Sequence, residues 1–98
     1  MEKWEYGYMY IARADETYGA AGEFFAVADA SGTRLLTTRN RLNALNFLGA
    51  EGWIISDSRD AGGGLFQSGW MYDLIKQENP KVGGIRLNSS YFMRRPST

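Results

Sequence analysis

The sequence predicts an α+β fold: a small antiparallel β-sheet packed by one main helix over about residues 38–51, with a second short helix at about 69–78. Three observations carry this. Trp4–Ile11 alternates with period two and is rich in aromatics, as strands are. Leu42, Leu45 and Leu48 recur at helical spacing. Gly49-Ala50-Glu51-Gly52-Trp53 then reads as a helix stop followed by a strand. A chain of 98 residues is the size of one domain, and no repeat or composition shift divides it, so residues 1–98 are read as a single unit.

In the first strand, Trp4, Tyr6, Tyr8 and Tyr10 share one face and Glu5, Gly7, Met9 and Ile11 the other. The aromatic face is the expected core. The alternative has both faces partly covered, one by the helix and one by a second subunit. Residues 12–22 are small and polar without periodicity and read as a flexible connection. Glu23–Ala28 and Thr33–Leu36 read as a hairpin about the turn Asp29-Ala30-Ser31-Gly32.

Thr37 or Thr38 is the expected N-cap of the main helix. Its apolar stripe is Leu42, Leu45 and Leu48, widened by Ala44 and Phe47. Gly52 is the expected left-handed residue after the helix, because glycine has no Cβ to clash there. Trp53–Ser58 continues as a strand with a buried start and a polar end. Trp4, Tyr6, Leu45, Leu48, Gly52 and Trp53 are assigned structural roles.

Residues 59–69, with Gly62-Gly63-Gly64 and Gly69, read as a mobile loop. Trp70–Asn79 fits either a strand, with Trp70, Tyr72 and Leu74 on one face, or a helix. The helix is preferred: Ser68 caps it, Met71, Leu74 and Ile75 share a face, and Asn79-Pro80 stops it. Gly83-Gly84 is a second flexible point. Ile85–Leu87 and Tyr91–Arg95 read as extended, with Pro96 ending the ordered region.

Composition excludes several chemistries. With no Cys and no His, the chain has no thiolate nucleophile, Cys/His zinc site, Ser-His-Asp triad or histidine base. Gly62-Gly63-Gly64 lacks the Gly-Lys-Ser/Thr ending of a phosphate loop. Asp57 and Asp60 are the one pair of carboxylates that suggests a metal-dependent hydrolase, but no further ligands stand at a recognised spacing. The reading is therefore no enzyme, no catalytic residue, no metal and no cofactor. Eleven basic residues balance eleven acidic ones, which argues against general nucleic-acid binding. The start of the chain is not a secretory signal and no stretch is long and apolar enough to span a membrane, so the expected setting is cytoplasmic.

What remains is arginine with aromatics. Arg39, Arg41, Arg59, Arg86 and Arg94, with Phe66, Trp70 and Tyr72, are the candidate binding residues; Arg95 and Tyr91 belong to the same set. Guanidinium groups hold phosphates or carboxylates, and rings stack on bases or fill interfaces. Aromatic surplus, sheet edges and zero net charge also predict a homo-oligomer.

Trp4-Glu5-Tyr6, then Leu45-Asn46-Phe47-Leu48-Gly49-Ala50-Glu51-Gly52-Trp53, then Tyr91-Phe92-Met93-Arg94-Arg95-Pro96 stand in this order along the chain. In that order they resemble the small bacterial and phage family called domain of unknown function 4177, over roughly a third of the sequence. The resemblance implies an antiparallel sheet with one packed helix, and carries over no activity and no catalytic residue. The chain departs from the family pattern by the hairpin before the helix and by the segment between Trp53 and the last strand. Functional residues favour such additions to a rigid scaffold. The expected function is a small non-catalytic binding or inhibitory module for a protein partner. The alternative is an oligomeric sponge for a phosphorylated small molecule such as a nucleotide signal, in the manner of phage anti-defence proteins.

Overall fold

The computed structural model describes residues 3–14 and 23–97. The elements run β1 Lys3–Ala14, β2 Glu23–Asp29, β3 Gly32–Leu35, α1 Arg41–Ala50, β4 Ile54–Asp60, β5 Leu65–Phe66, α2 Trp70–Glu78 and β6 Ile85–Ser97. The strands form one antiparallel sheet in the order β3-β2-β1-β6-β4, and β5 adds to β6. This is the α+β fold that the sequence predicts. The connection expected over 12–22 begins later, since β1 runs through Ala14; residues 15–22 lie outside the described residues.

The two helices lie on opposite faces of the sheet, and each has its own core. Under α1, Met9, Ile11, Phe25, Val27 and Met93 pack with Ala44, Leu48 and Trp53. Under α2, Ala12, Ala14, Phe24 and Ile85 pack with Tyr72, Ile75 and Val82. The expectation that the aromatic face of β1 is the core is corrected here. Met9 and Ile11 are fully buried, whereas Tyr6 is 52% and Tyr8 44% exposed. Met and Ile carry no polar atom that must be hydrated, so burying them costs less than burying a phenol. On the α2 side the helix lies where β1 offers Ala12 and Ala14, and reaches the rings only where Trp70 meets Tyr10.

Several local expectations change with this packing. The N-cap of α1 is Asn40, whose Oδ1 accepts from Asn43 N at 3.0 Å; Thr38 Oγ1 accepts from Asn40 N one step earlier. Leu42 and Phe47 leave the predicted stripe and are exposed, because α1 touches the sheet through the narrower line Ala44–Leu48, flanked by Leu45. Gly69, not Ser68, precedes α2, and the buried residues of that helix are Tyr72 and Ile75. The glycine loop is pinned: Gly63 N donates to Leu87 O at 3.1 Å, and Arg86 Nη1 to Gly63 O at 3.1 Å. The two extended C-terminal pieces form one strand, and Pro96 lies inside it, paired with Trp4.

The junction after α1 is a complete Schellman motif. Trp53 N donates to Leu48 O at 3.1 Å and Gly52 N to Gly49 O at 3.0 Å, with Gly52 at φ +92°. The accompanying apolar contact is between Leu48 and Trp53, both buried in the same cluster. Trp53 needs room on the sheet, and Gly7 supplies it. A Cβ at Gly7 would stand 3.2 Å from the Trp53 ring.

Two predictions follow from these geometries. Gly52→Ala forces a side chain into the left-handed region and should lower stability by about 1 kcal/mol or more, while Gly49→Ala, helical and facing open space, should raise it by about 0.5–1 kcal/mol. Urea denaturation of the pair reads both signs. The second concerns Asp29. Burial pushes its carboxyl up, but hydrogen bonds from Ser31 and Arg34 outweigh this and hold it below the ordinary carboxylate range. A depressed folded pKa gives stability that is present above the unfolded value, about 3.9, and lost as pH falls through the folded one. Asp29→Asn should therefore flatten the acid limb of a stability–pH profile measured by thermal denaturation.

Candidate functional site

The sheet face beyond α2 carries the candidate site. In antiparallel pairing, directly opposed residues share a face. Tyr8 opposes Phe92, Tyr10 opposes Ser90, and Tyr6 opposes Arg94. On the next strand Asp57 opposes Phe92, Arg59 opposes Ser90, and Ile54 opposes Arg94. β1, β6 and β4 thus build one surface of rings, bordered by Asp57 and Arg59.

The rings stand as a ladder. Tyr6 stacks on Phe92 at 5.7 Å with planes 5° apart, Phe92 meets Tyr8 at 5.1 Å, and Tyr8 stacks on Tyr10 at 5.7 Å. Trp70, the first residue of α2, closes the ladder edge-on to Tyr10 at 5.8 Å. Burial raises the Tyr10 pKa, and the nearby Tyr8 adds to the rise. At the far end the Arg94 guanidinium lies 4.4 Å over Trp4.

Two of the hollows on this face share Tyr10. One, of about 300 Å³, lies between Tyr10, Phe66, Trp70, Ile85 and Leu87. The other, of about 480 Å³, lies between Tyr8, Tyr10, Asp57, Arg59, Ser90 and Phe92.

The predicted binding residues separate into three groups. Phe66 and Trp70 meet in the first hollow, Arg59 borders the second, and Arg94 shares their face. Arg39, Arg41 and Arg86 are engaged in the scaffold. Arg39 pairs with Glu78 at 3.2 Å and lies 3.6 Å over Phe24, Arg41 pairs with Glu23 at 2.7 Å, and Arg86 holds the glycine loop. Tyr72 is a core residue, 8% exposed, with its hydroxyl donating to Val82 O at 3.3 Å. Tyr6, Tyr8, Tyr10 and Phe92 were not among the predicted binding residues. Their signal was the run of aromatics at every second position of β1, which has the same spacing whether that face is covered or bare.

Asp57 and Asp60 do not converge. Asp57 opposes Phe92 and Asp60 opposes Ser89, three residues apart on a strand whose side chains alternate, so they point to opposite faces. Among the described residues, no group of three or more His, Cys, Asp or Glu comes together in a way that could hold a metal ion.

Core and face can be told apart by stability. Tyr72→Ala should cost about 3 kcal/mol or more, as a large buried side chain does. Phe66→Ala, at a residue 46% exposed, should cost less than about 1 kcal/mol. Denaturant midpoints of the two variants check this.

No family model, no curated protein and no solved structure matches the chain.

Proposed function

We propose that this chain is a non-catalytic binding module that docks a protein partner on the aromatic face of its sheet. The carrying observation is the ring ladder Tyr6–Phe92–Tyr8–Tyr10–Trp70, in which Tyr6, Tyr8 and Trp70 are exposed and Phe92 and Tyr10 half-buried, on a sheet whose opposite face is packed. Contiguous exposed aromatic surface marks interaction sites, and Tyr and Trp dominate interface energetics because they bury large areas with few rotamers.

Zero net charge favours a protein over a nucleic-acid partner. Apolar rings ending in phenol hydroxyls suit a partner that brings aliphatic side chains and backbone carbonyls. The resemblance to domain of unknown function 4177 agrees with a scaffold of this kind. The second reading, capture of a phosphorylated small molecule, draws on one observation: Arg59 beside the hollow at Tyr8 and Tyr10. Its neighbour Asp57, 3.5 Å from the guanidinium, offsets that charge.

Site-specific photocrosslinking in the native host tests the proposal. A benzophenone side chain at Tyr8 should yield a discrete adduct with another protein, and the same group at Asn43, on the exposed side of α1, should not. Equal labelling from both positions, or none from Tyr8, would refute it. A calorimetric response to nucleotides that is lost in Arg59→Ala would transfer the assignment to the second reading.

A further inference from the structure

We infer that β4 is a self-complementary edge through which two copies of this chain join into one continuous sheet. The inference rests on the edge of the sheet and is independent of what the aromatic face binds.

Edge strands left open are templates for pairing, and proteins blunt them by shortness, charge or cover. The two edges here differ. β3 has 4 residues and joins β2 through a tight turn. β4 has 7 residues, pairs β6 alone, and all of them are exposed. Ile54 and Ile55 are 48% and 38% exposed. The charges Asp57, Arg59 and Asp60 on this strand have two readings: a guard against pairing, or a code for one register.

Symmetry decides which registers are open. A two-fold axis between antiparallel copies of one strand passes through a residue facing its own copy. Centred on Asp57, Arg59 or Asp60, the axis sets like charges directly opposite, which is destabilising. Centred on Ser58, it sets Asp57 opposite Arg59 of the second copy and Arg59 opposite Asp57. Of the positions 57–60, Ser58 alone opposes no like charge and forms two ion pairs.

The backbone agrees with this register. Ala61 N donates to Asn88 O at 3.0 Å, so by alternation Arg59 also bonds β6, while Ser58 and Asp60 turn their amides to the open edge. In the single chain the Ser58 N–H is held by Asp57 Oδ1 at 2.8 Å, and Asp57 touches its own Arg59 at 3.5 Å. Pairing moves the Ser58 N–H to the carbonyl of its copy and frees Asp57 for Arg59 across the interface. Asp57 and Arg59 then occupy a non-hydrogen-bonded pair, where side chains approach most closely. The two aromatic faces lie on the same side of the joined sheet.

Sedimentation and charge reversal test this with the full chain. The wild type should form dimers at micromolar concentration that weaken as salt is raised. Asp57→Arg and Arg59→Asp each set like charges opposite one another and should weaken the dimer by about tenfold or more, with unchanged circular dichroism. Mixing the two single variants should restore dimers, since two arginines then face two aspartates, and the double variant Asp57→Arg/Arg59→Asp should dimerise alone. Tyr8→Ser should leave the dimer intact. A strict monomer at high micromolar concentration, a dimer indifferent to both reversals, no restoration on mixing, or a dimer abolished by Tyr8→Ser would each overturn the proposal.

Discussion

The structure depends on how the end of α1 is fixed to the sheet. The Arg95 guanidinium donates to both carboxylate oxygens of Glu5, at 2.9 and 3.4 Å, and to the backbone oxygen of Glu51 at 3.0 Å. It also lies 4.3 Å over the Trp53 ring. Glu51 is the C-cap of α1, where carbonyls lack helical partners and the dipole favours a cation. One arginine thus serves the helix end, the first strand and the tryptophan together. Trp53 in turn fills the space over Gly7. Together with Ala44 and Leu48, Trp53 seats α1 over Met9, Ile11 and Met93.

That constraint links three segments far apart in sequence. Glu5 belongs to Trp4-Glu5-Tyr6, Glu51 and Trp53 to the helix stop, and Arg95 to the last strand. Their order along the chain is a pattern, and their meeting at one point is its physical content. Fixing α1 to one face also fixes what the other face can be. Alternation sends Met9 and Ile11 toward α1, so the tyrosines must point away. The opposite side is then covered only as far as α2 reaches, over Ala12 and Ala14. The bare ring ladder is a consequence of a single helix claiming the aliphatic face.

The sequence made the fold legible wherever the signal was local. Gly52 and Trp53 declared the Schellman stop, because only the missing Cβ of glycine and an apolar residue after it satisfy that geometry. The hairpin about Asp29–Gly32 and the stop at Asn79 were equally local. What was illegible was tertiary. Period two tells which residues of β1 share a face, and says nothing about which face a helix will cover. Leu42 and Phe47 matched the helical period, yet a helix packed through Ala44 and Leu48 sits too close and too narrowly to bury them. The candidate arginines were sorted by partners beyond sequence reach: Glu78 for Arg39, Glu23 for Arg41, and the glycine loop for Arg86.

The same sorting bears on the proposed binding surface. Ionisable groups that are paired across the scaffold, such as Arg34 with Asp29 and Glu51, hold elements together and are not available to a ligand. Those left on the aromatic side are Asp57, Arg59 and Arg94, with Arg59 82% exposed at its side chain. The rings from Tyr6 to Trp70 form the centre of the patch. An apolar centre with a polar rim is how protein interfaces are built, the rings contributing affinity and the border charges setting orientation. Asp57 and Arg59 lie on that border and on the open edge of the sheet at once, so whatever pairs with β4 also decides how far the ring surface extends.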